Sequence, residues 1–159
     1  EMDGPWQLGH TNASEYTRRA RDAAAAMRDV TPGIEVVACG SSDPRLPSHP
    51  AWSVTVLDGF GEGLDYLSLH RYARNLRRQS REFLGFGRTV DDQIEETARL
   101  CDEARARHGH EQPTRISFDE WNVWYKTAHE TLARMLLPSR FGRPAPPFQY
   151  ANESLLKAA

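Results

Sequence analysis

The sequence predicts an α/β fold with parallel strands, on two observations. Short runs rich in apolar and β-branched residues alternate with longer amphipathic runs of helical period. The polar residues best suited to chemistry fall at or just after the carboxyl ends of the β-rich runs, where open α/β sheets and barrels place their active sites.

Each element has a local cause. Glu1 to His10 reads as a strand end followed by a loop. Asn12 to Val30 reads as a helix, because Asn12 and Glu15 have capping-box spacing and Tyr16, Ala20, Ala23, Met27 and Val30 recur on one face. Thr31-Pro32-Gly33 ends it, and Ile34 to Cys39 follows as a short, mostly apolar run expected to form a buried parallel strand. Gly40 to Pro47 is a polar loop, and Ser48 to Leu57 a second helix with Trp52 on its apolar side. Leu64 to His70 is the next strand, and Tyr72 to Gly87 a long loop with room for one or two helical turns. Thr89 and Asp92 have capping-box spacing at the start of a long helix, with Val90, Ile94, Ala98, Cys101 and Ala104 as its stripe and Gly109 as its stop. Arg115 to Phe118 is a third strand, leading into Glu120. The remainder is rich in loop signals (Pro138, Pro144, Pro146, Pro147), with a last helix expected near Asn152.

The count is the end of one strand, three whole strands and their helices. A complete (β/α)8 barrel needs eight such units and roughly 250 residues, so these 159 residues predict about half a barrel.

Composition narrows the class. With 39% hydrophobic and 26% charged residues, usage is that of a globular protein. A net charge of −2 supplies no basic field for nucleic acid or anionic membrane. No stretch approaches the roughly 20 apolar residues of a membrane span. Cys39 and Cys101 are too few and too far apart for a disulfide framework and read as inert core thiols. Position 1 is not Met and no leader pattern is present, and the expected setting is cytoplasmic.

Two acidic motifs carry the functional signal: Glu1-Met2-Asp3-Gly4-Pro5-Trp6-Gln7 and Ser117-Phe118-Asp119-Glu120-Trp121-Asn122-Val123-Trp124. Aromatic and small neighbours can dry a pocket around an acid. Two such acids meet the need of glycoside hydrolysis, where one protonates the leaving oxygen and the other faces the sugar carbon.

These motifs resemble the two active-site signatures of the glycoside hydrolase family 51 α-L-arabinofuranosidases. Between them, Val37-Ala38-Cys39-Gly40-Ser41-Ser42 and Leu67-Ser68-Leu69-His70-Arg71-Tyr72 resemble the family's intervening strand ends. The similarity runs to about residue 125, and Ala145-Pro146-Pro147 and Glu153-Ser154-Leu155 still resemble the approach to the seventh helix. The resemblance implies a partial TIM barrel from the end of strand 4 through strand 7 and the start of helix 7. Residues 1–159 would then form an incomplete catalytic domain, the C-terminal half of the barrel, without strands 1–3 and 8. It implies a retaining enzyme of arabinan catabolism with Glu1 as acid/base and Glu120 as nucleophile. His70 matches a rim histidine near the acid/base, Tyr72 the tyrosine that orients the nucleophile, and Trp124 an aromatic bordering the sugar; Trp6 is a candidate pocket wall. The implied partner is an arabinose-containing oligosaccharide, with no cofactor and no metal; a homo-oligomeric parent stays open. In this family an asparagine precedes the acid/base and binds the sugar's 2-hydroxyl. The chain starts one residue after that position, so this length alone is expected to be inactive.

Plainer readings stand beside these. His70 reads equally as a satisfied core histidine and Tyr72 equally as packing. A retaining hydrolase of the same clan with another sugar, and a non-catalytic remnant, remain alternatives. Gly59-Phe60-Gly61-Glu62-Gly63 precedes a strand and so is no dinucleotide fingerprint. His108-Gly109-His110 lacks the further ligands of a zinc set. Arg74, Arg77, Arg78 and Arg81 make a basic face best read as solvated. Asn12-Ala13-Ser14 and Asn152-Glu153-Ser154 match the glycosylation pattern but read more simply as helix caps.

Overall fold

A computed structural model describes residues 1–73 and 80–123. The elements run α1 (Ala13–Val30), β1 (Val37–Cys39), α2 (Ala51–Phe60), a 3₁₀ turn (Gly61–Gly63), β2 (Tyr66–Ala73), α3 (Ser80–Leu84), α4 (Gly87–His108) and β3 (Arg115–Val123). The strands form one parallel sheet in the order β1-β2-β3. Val37, Ala38 and Cys39 of β1 stand opposite Tyr66, Leu67 and Ser68 of β2. Helices separate successive parallel strands, as crossover connections require.

The chain divides into two compact units. One holds Glu1–Arg71 and Thr89–Trp121, and contains the site and the core described below. The other holds Tyr72–Arg88 and Asn122–Ala159; in its described part lie α3 and the ends of β2 and β3. The expected loop over 72–87 thus contains one short helix, while Arg74, Arg77, Arg78, Trp124, the proline-rich stretch and the helix near Asn152 lie outside the described residues.

Helix α1 begins where its cap predicts. The Asn12 side chain accepts from the Glu15 N–H at 2.9 Å, which accounts for this asparagine as a cap. The reciprocal half of the box is replaced: the Glu15 carboxylate takes Arg18 and Arg19 instead, and those guanidiniums pull its pKa down to about 2.

The buried face of α1 differs from the expected one. Thr17 and Ala24 are buried and Ala13, Tyr16 and Ala20 half-buried, whereas Met27 is 45% and Val30 83% exposed. At Thr17 the helix lies close to α2: a Cβ on Gly59 would stand 2.8 Å from Thr17 Cγ2.

Strand β1 is shorter than the expected Ile34–Cys39 and is not buried on both faces. Val36 and Ala38 point into the core while Val37 is 49% exposed. At its start the Tyr66 N–H donates to the Val36 carbonyl at 3.0 Å, and the Asp65 carboxylate accepts from the Val36 N–H at 2.7 Å and from Arg28 at 2.8 Å. At its last residue, Tyr16 and Trp52 serve the backbone of Cys39. The Cys39 N–H donates to the Tyr16 hydroxyl at 2.7 Å, and the Trp52 indole donates to the Cys39 carbonyl at 3.0 Å. Burial, then the nearby Cys39, raises the Tyr16 pKa, which keeps the phenol neutral for this role.

Helix α2 starts three residues later than expected and keeps Trp52 in the core, 3% exposed. The core joins Val36, Ala38, Trp52, Val56, Leu57, Phe60 and Leu67 to Leu100, Cys101 and Ala104 of α4. Leu67 is fully enclosed at 0% exposure. Leu67→Ala is expected to cost about 2–5 kcal/mol through lost contacts and the cavity left behind, read as a lower urea midpoint at unchanged slope. Both cysteines are free; burial, helped by Asp102, pushes the Cys101 thiol up to about 11, as suits an inert core residue.

Helix α4 starts at Gly87, so Thr89 is not its cap. The Thr89 hydroxyl accepts instead from Arg71 at 3.0 Å. Its buried face runs through Gln93, Thr97, Leu100, Cys101 and Ala104 rather than Val90, Ile94 and Ala98. Thr97 is satisfied inside by donating to the Gln93 carbonyl at 2.8 Å, and Gln93 donates to the His70 carbonyl at 3.3 Å while its Oε1 is buried without a hydrogen-bond partner among the described residues. Gly109, at φ +67°, ends the helix as expected, with the His110 N–H returning to the Arg105 carbonyl.

Candidate active site

The site forms where β2 and β3 run past their expected ends. His70 lies within β2 as expected, while Arg71 and Tyr72 lie within β2 and Glu120 within β3 rather than in loops beyond them. Alternation along β2 buries Leu67, Leu69, Arg71 and Ala73 on one face and leaves His70 on the other. The Gln93 bond to the His70 carbonyl fixes the backbone at that point.

His70 stands between the two acids. Its Nδ1 is 3.6 Å from Glu1 Oε1 and 3.6 Å from Glu120 Oε2, and its Nε2 is 3.3 Å from Asp119 Oδ1. The His70 and Glu1 side chains are 13% and 15% exposed; that of Glu120 is 43% exposed. One ligand atom from each of Glu1, His70 and Glu120 lies within 4.8 Å of the other two. The two carboxylates therefore converge on one imidazole, although their residues stand far apart in sequence. That spacing also makes them the group among the described residues able to share a cation by distance.

The segment carrying Glu1 is folded back on itself. The Gly4 N–H donates to the Glu1 carbonyl at 3.0 Å, closing a turn. The Trp6 indole donates to Glu1 Oε2 at 2.5 Å, and Gln7 reaches the same oxygen at 3.3 Å. Trp6 lies so close over Gly4 that a Cβ there would meet the indole at 2.4 Å, so the turn demands glycine. Trp6 is thus a hydrogen-bond donor to the acid as well as a wall, and is 55% exposed. Glu1 keeps Oε1 towards His70 while Oε2 is held by Trp6 and Gln7.

Sequence reasoning singled out Glu1, Glu120, His70 and Trp6, and the structure brings these four together. Tyr72 is half-buried in β2, in the other compact unit, and Trp124 lies outside the described residues. Asp3, Asp119 and Gln93 were not anticipated. The first two flank the acids within the motifs, and that adjacency was the available signal. The exposed His108 and half-buried His110 stack on each other at 5.4 Å, and His108 pairs with Asp58 at 3.0 Å, an arrangement that ties the end of α4 to α2. No described helix is long and apolar enough to cross a membrane.

No protein-family profile matches the chain. Individual relatives do. The chain is 44% identical over 130 residues to an intracellular exo-α-(1→5)-L-arabinofuranosidase of Acetivibrio thermocellus, covering 82% of this chain and 26% of that protein. It is 42% identical over 125 residues to the corresponding enzyme 1 of Bacillus subtilis, covering 79% and 25%. It is 38% identical over 130 residues to an exo-α-(1→6)-L-arabinofuranosidase of Bifidobacterium longum, covering 79% and 25%. Among solved structures, the family 51 α-L-arabinofuranosidase AbfB of Bifidobacterium longum superposes with a TM-score of 0.78 at 32% identity, over 95% of this chain and 30% of that one. An arabinose complex of the Thermotoga maritima α-L-arabinofuranosidase gives 0.65 at 30% identity, over 80% and 24%. The chain therefore spans about a quarter of the length of the curated relatives it matches. Sequence and fold agree over that stretch, and within it the chain belongs to the family 51 α-L-arabinofuranosidases.

Proposed function

We propose that the chain is the C-terminal half of the catalytic barrel of a longer parent protein, from the end of strand 4 to the start of helix 7. The parent is a retaining glycosidase that removes α-L-arabinofuranosyl groups from arabinose-containing oligosaccharides. The observation that carries this reading is the convergence of Glu1 and Glu120 on His70, with their carboxylate oxygens within 4.8 Å of one another. Retaining glycosidases hold their two carboxyl groups about 5–5.5 Å apart, close enough for one to attack the sugar directly, whereas inverting enzymes leave roughly 6.5–9.5 Å for a water.

In the first step Glu120 attacks the anomeric carbon as the glycosidic bond breaks, and Glu1 gives its proton to the departing oxygen. The product is an arabinosyl ester on Glu120. In the second step Glu1 takes a proton from water, the water oxygen attacks the same carbon, and Glu120 leaves as carboxylate. Two inversions give net retention. Trp6 and Gln7 orient Glu1 by holding Oε2, so that Oε1 faces the cleft. By the family resemblance, Tyr72 is assigned the role of orienting the nucleophile and Trp124 that of bordering the sugar. The sugar is assigned by the relatives' names, and a cytoplasmic setting by the intracellular designation several of them carry.

The test is to express the full-length parent and assay chromogenic α-L-arabinofuranoside, β-xyloside and β-glucoside side by side. Arabinofuranoside hydrolysis is expected to exceed the others by orders of magnitude, with the first-formed product retaining its configuration. Preference for another sugar would move the parent elsewhere in the clan, and an inverted product would overturn the mechanism.

A further inference from the structure

We infer that Asp3 is a positioning residue for the acid/base Glu1, acting through a serine clasp that sets the distance between Glu1 and the strand carrying His70. The inference rests on the proposed function, which makes Glu1 the proton donor.

Asp3 sits inside the turn closed by the Gly4 N–H on the Glu1 carbonyl. Its carboxylate accepts from the Ser41 hydroxyl at 3.0 Å, the Ser48 hydroxyl at 2.9 Å, the Ser42 N–H at 3.2 Å, and the Ser42 hydroxyl. An ionised carboxylate has about four acceptor sites, and these donors fill them. Ser41 and Ser42 are 3% and 6% exposed, so little water is available to replace a lost partner.

The clasp is anchored at its far side. The Ser41 N–H donates to the Ser53 hydroxyl of α2 at 3.1 Å. The Gly40 N–H donates to the Ser68 carbonyl at 3.1 Å, two residues before His70 on β2. A Cβ at Gly40 would stand 2.4 Å from that carbonyl oxygen, so the backbones touch. A short path of hydrogen bonds therefore runs from the turn holding Glu1, through Asp3 and the serine loop, to the strand that presents His70. This path ties the turn that carries Glu1 to β2. A shift on the order of 1 Å in a reacting group can cost about 10²-fold in rate.

The cost should fall on proton transfer. A glycoside with a poor leaving group needs the acid, whereas a 2,4-dinitrophenyl glycoside leaves unprotonated. In the full-length parent, Asp3→Asn is expected to lower kcat/KM about 10²-fold on an arabino-oligosaccharide. On 2,4-dinitrophenyl arabinofuranoside it should lower kcat/KM only a few-fold, with kcat and KM falling together as the second step slows. Asparagine keeps one acceptor but turns an amide donor towards hydroxyls and an N–H that are themselves donors. Asp3→Glu, which keeps the acceptors on a longer arm, should restore part of the loss. Ser42→Ala removes one donor and should show the same leaving-group dependence at smaller size; it carries the test if Asp3→Asn does not fold. A loss equal on both substrates, or no loss, overturns the inference. Glu1→Ala is the control. Leaving-group dependence there without any in the Asp3 and Ser42 variants rejects this inference alone, while its absence in Glu1→Ala rejects the proposed function and this inference with it.

Discussion

Glu120→Ala in the full-length parent is expected to abolish turnover of every arabinofuranoside, whatever its leaving group. In the proposed mechanism Glu120 forms the bond that replaces the glycosidic bond, so no choice of substrate bypasses it. Losing a covalent nucleophile costs on the order of 10⁴-fold or more in kcat. The alanine also opens space beside the anomeric carbon, within reach of His70. Azide can enter there and attack from the face Glu120 vacates. One displacement then replaces two, and the arabinosyl azide formed has inverted configuration. Folding is expected to survive, because the Glu120 side chain is 43% exposed and lies outside the core. The checks are the rate on activated and unactivated substrates, the configuration of the azide product by NMR, and the melting temperature. Azide product of retained configuration would assign Glu120 another role.

The residues of this site were more legible than the elements that hold them. Glu1 and Glu120 stand in long motifs whose order and composition carry chemical meaning, and these are visible without coordinates. Strand ends are not, because their length depends on pairing partners that no local pattern records: β2 was expected to stop at His70 and runs to Ala73, and β3 was expected to stop at Phe118 and runs to Val123. Helix faces failed for a related reason. Period fixes that a stripe exists, but the neighbour decides which side is used. In α1 the buried side carries Thr17, which lies against Gly59 of α2, and Ala24, while Met27 and Val30 are exposed. In α4 the His70 carbonyl drew in Gln93, which hydropathy assigns to solvent. Capping was read half correctly. Asn12 caps α1, whereas the hydroxyl of Thr89 is taken by Arg71 from a distant strand. Asp3 shows the same limit within a motif: its sequence neighbours suggest importance, but only the fold reveals four donors converging on it.

Glu1→Ala is expected to separate substrates that Glu120→Ala does not. The acid contributes by protonating the departing oxygen, and general acid catalysis is worth about 10²–10⁴-fold. A sugar leaving group, being a strongly basic alkoxide, should suffer that full loss. A 2,4-dinitrophenolate leaves readily without a proton, so formation of the arabinosyl ester on Glu120 should proceed at close to its normal rate. The second step still lacks its base. The ester should therefore accumulate, giving a burst of dinitrophenolate followed by a slow steady state and a low apparent KM. Azide needs no base, and in this variant it attacks the ester from the side of Glu1. The product is an arabinosyl azide of retained configuration, opposite to that from Glu120→Ala. The two variants thus form a matched pair, in which the same nucleophile reports which face of the sugar each carboxylate occupies. The observation that motivates the pairing is the approach of Glu1 and Glu120 to one imidazole nitrogen, each at 3.6 Å. Equal losses on sugar and dinitrophenyl substrates, with no burst, would remove Glu1 from the proton-transfer role.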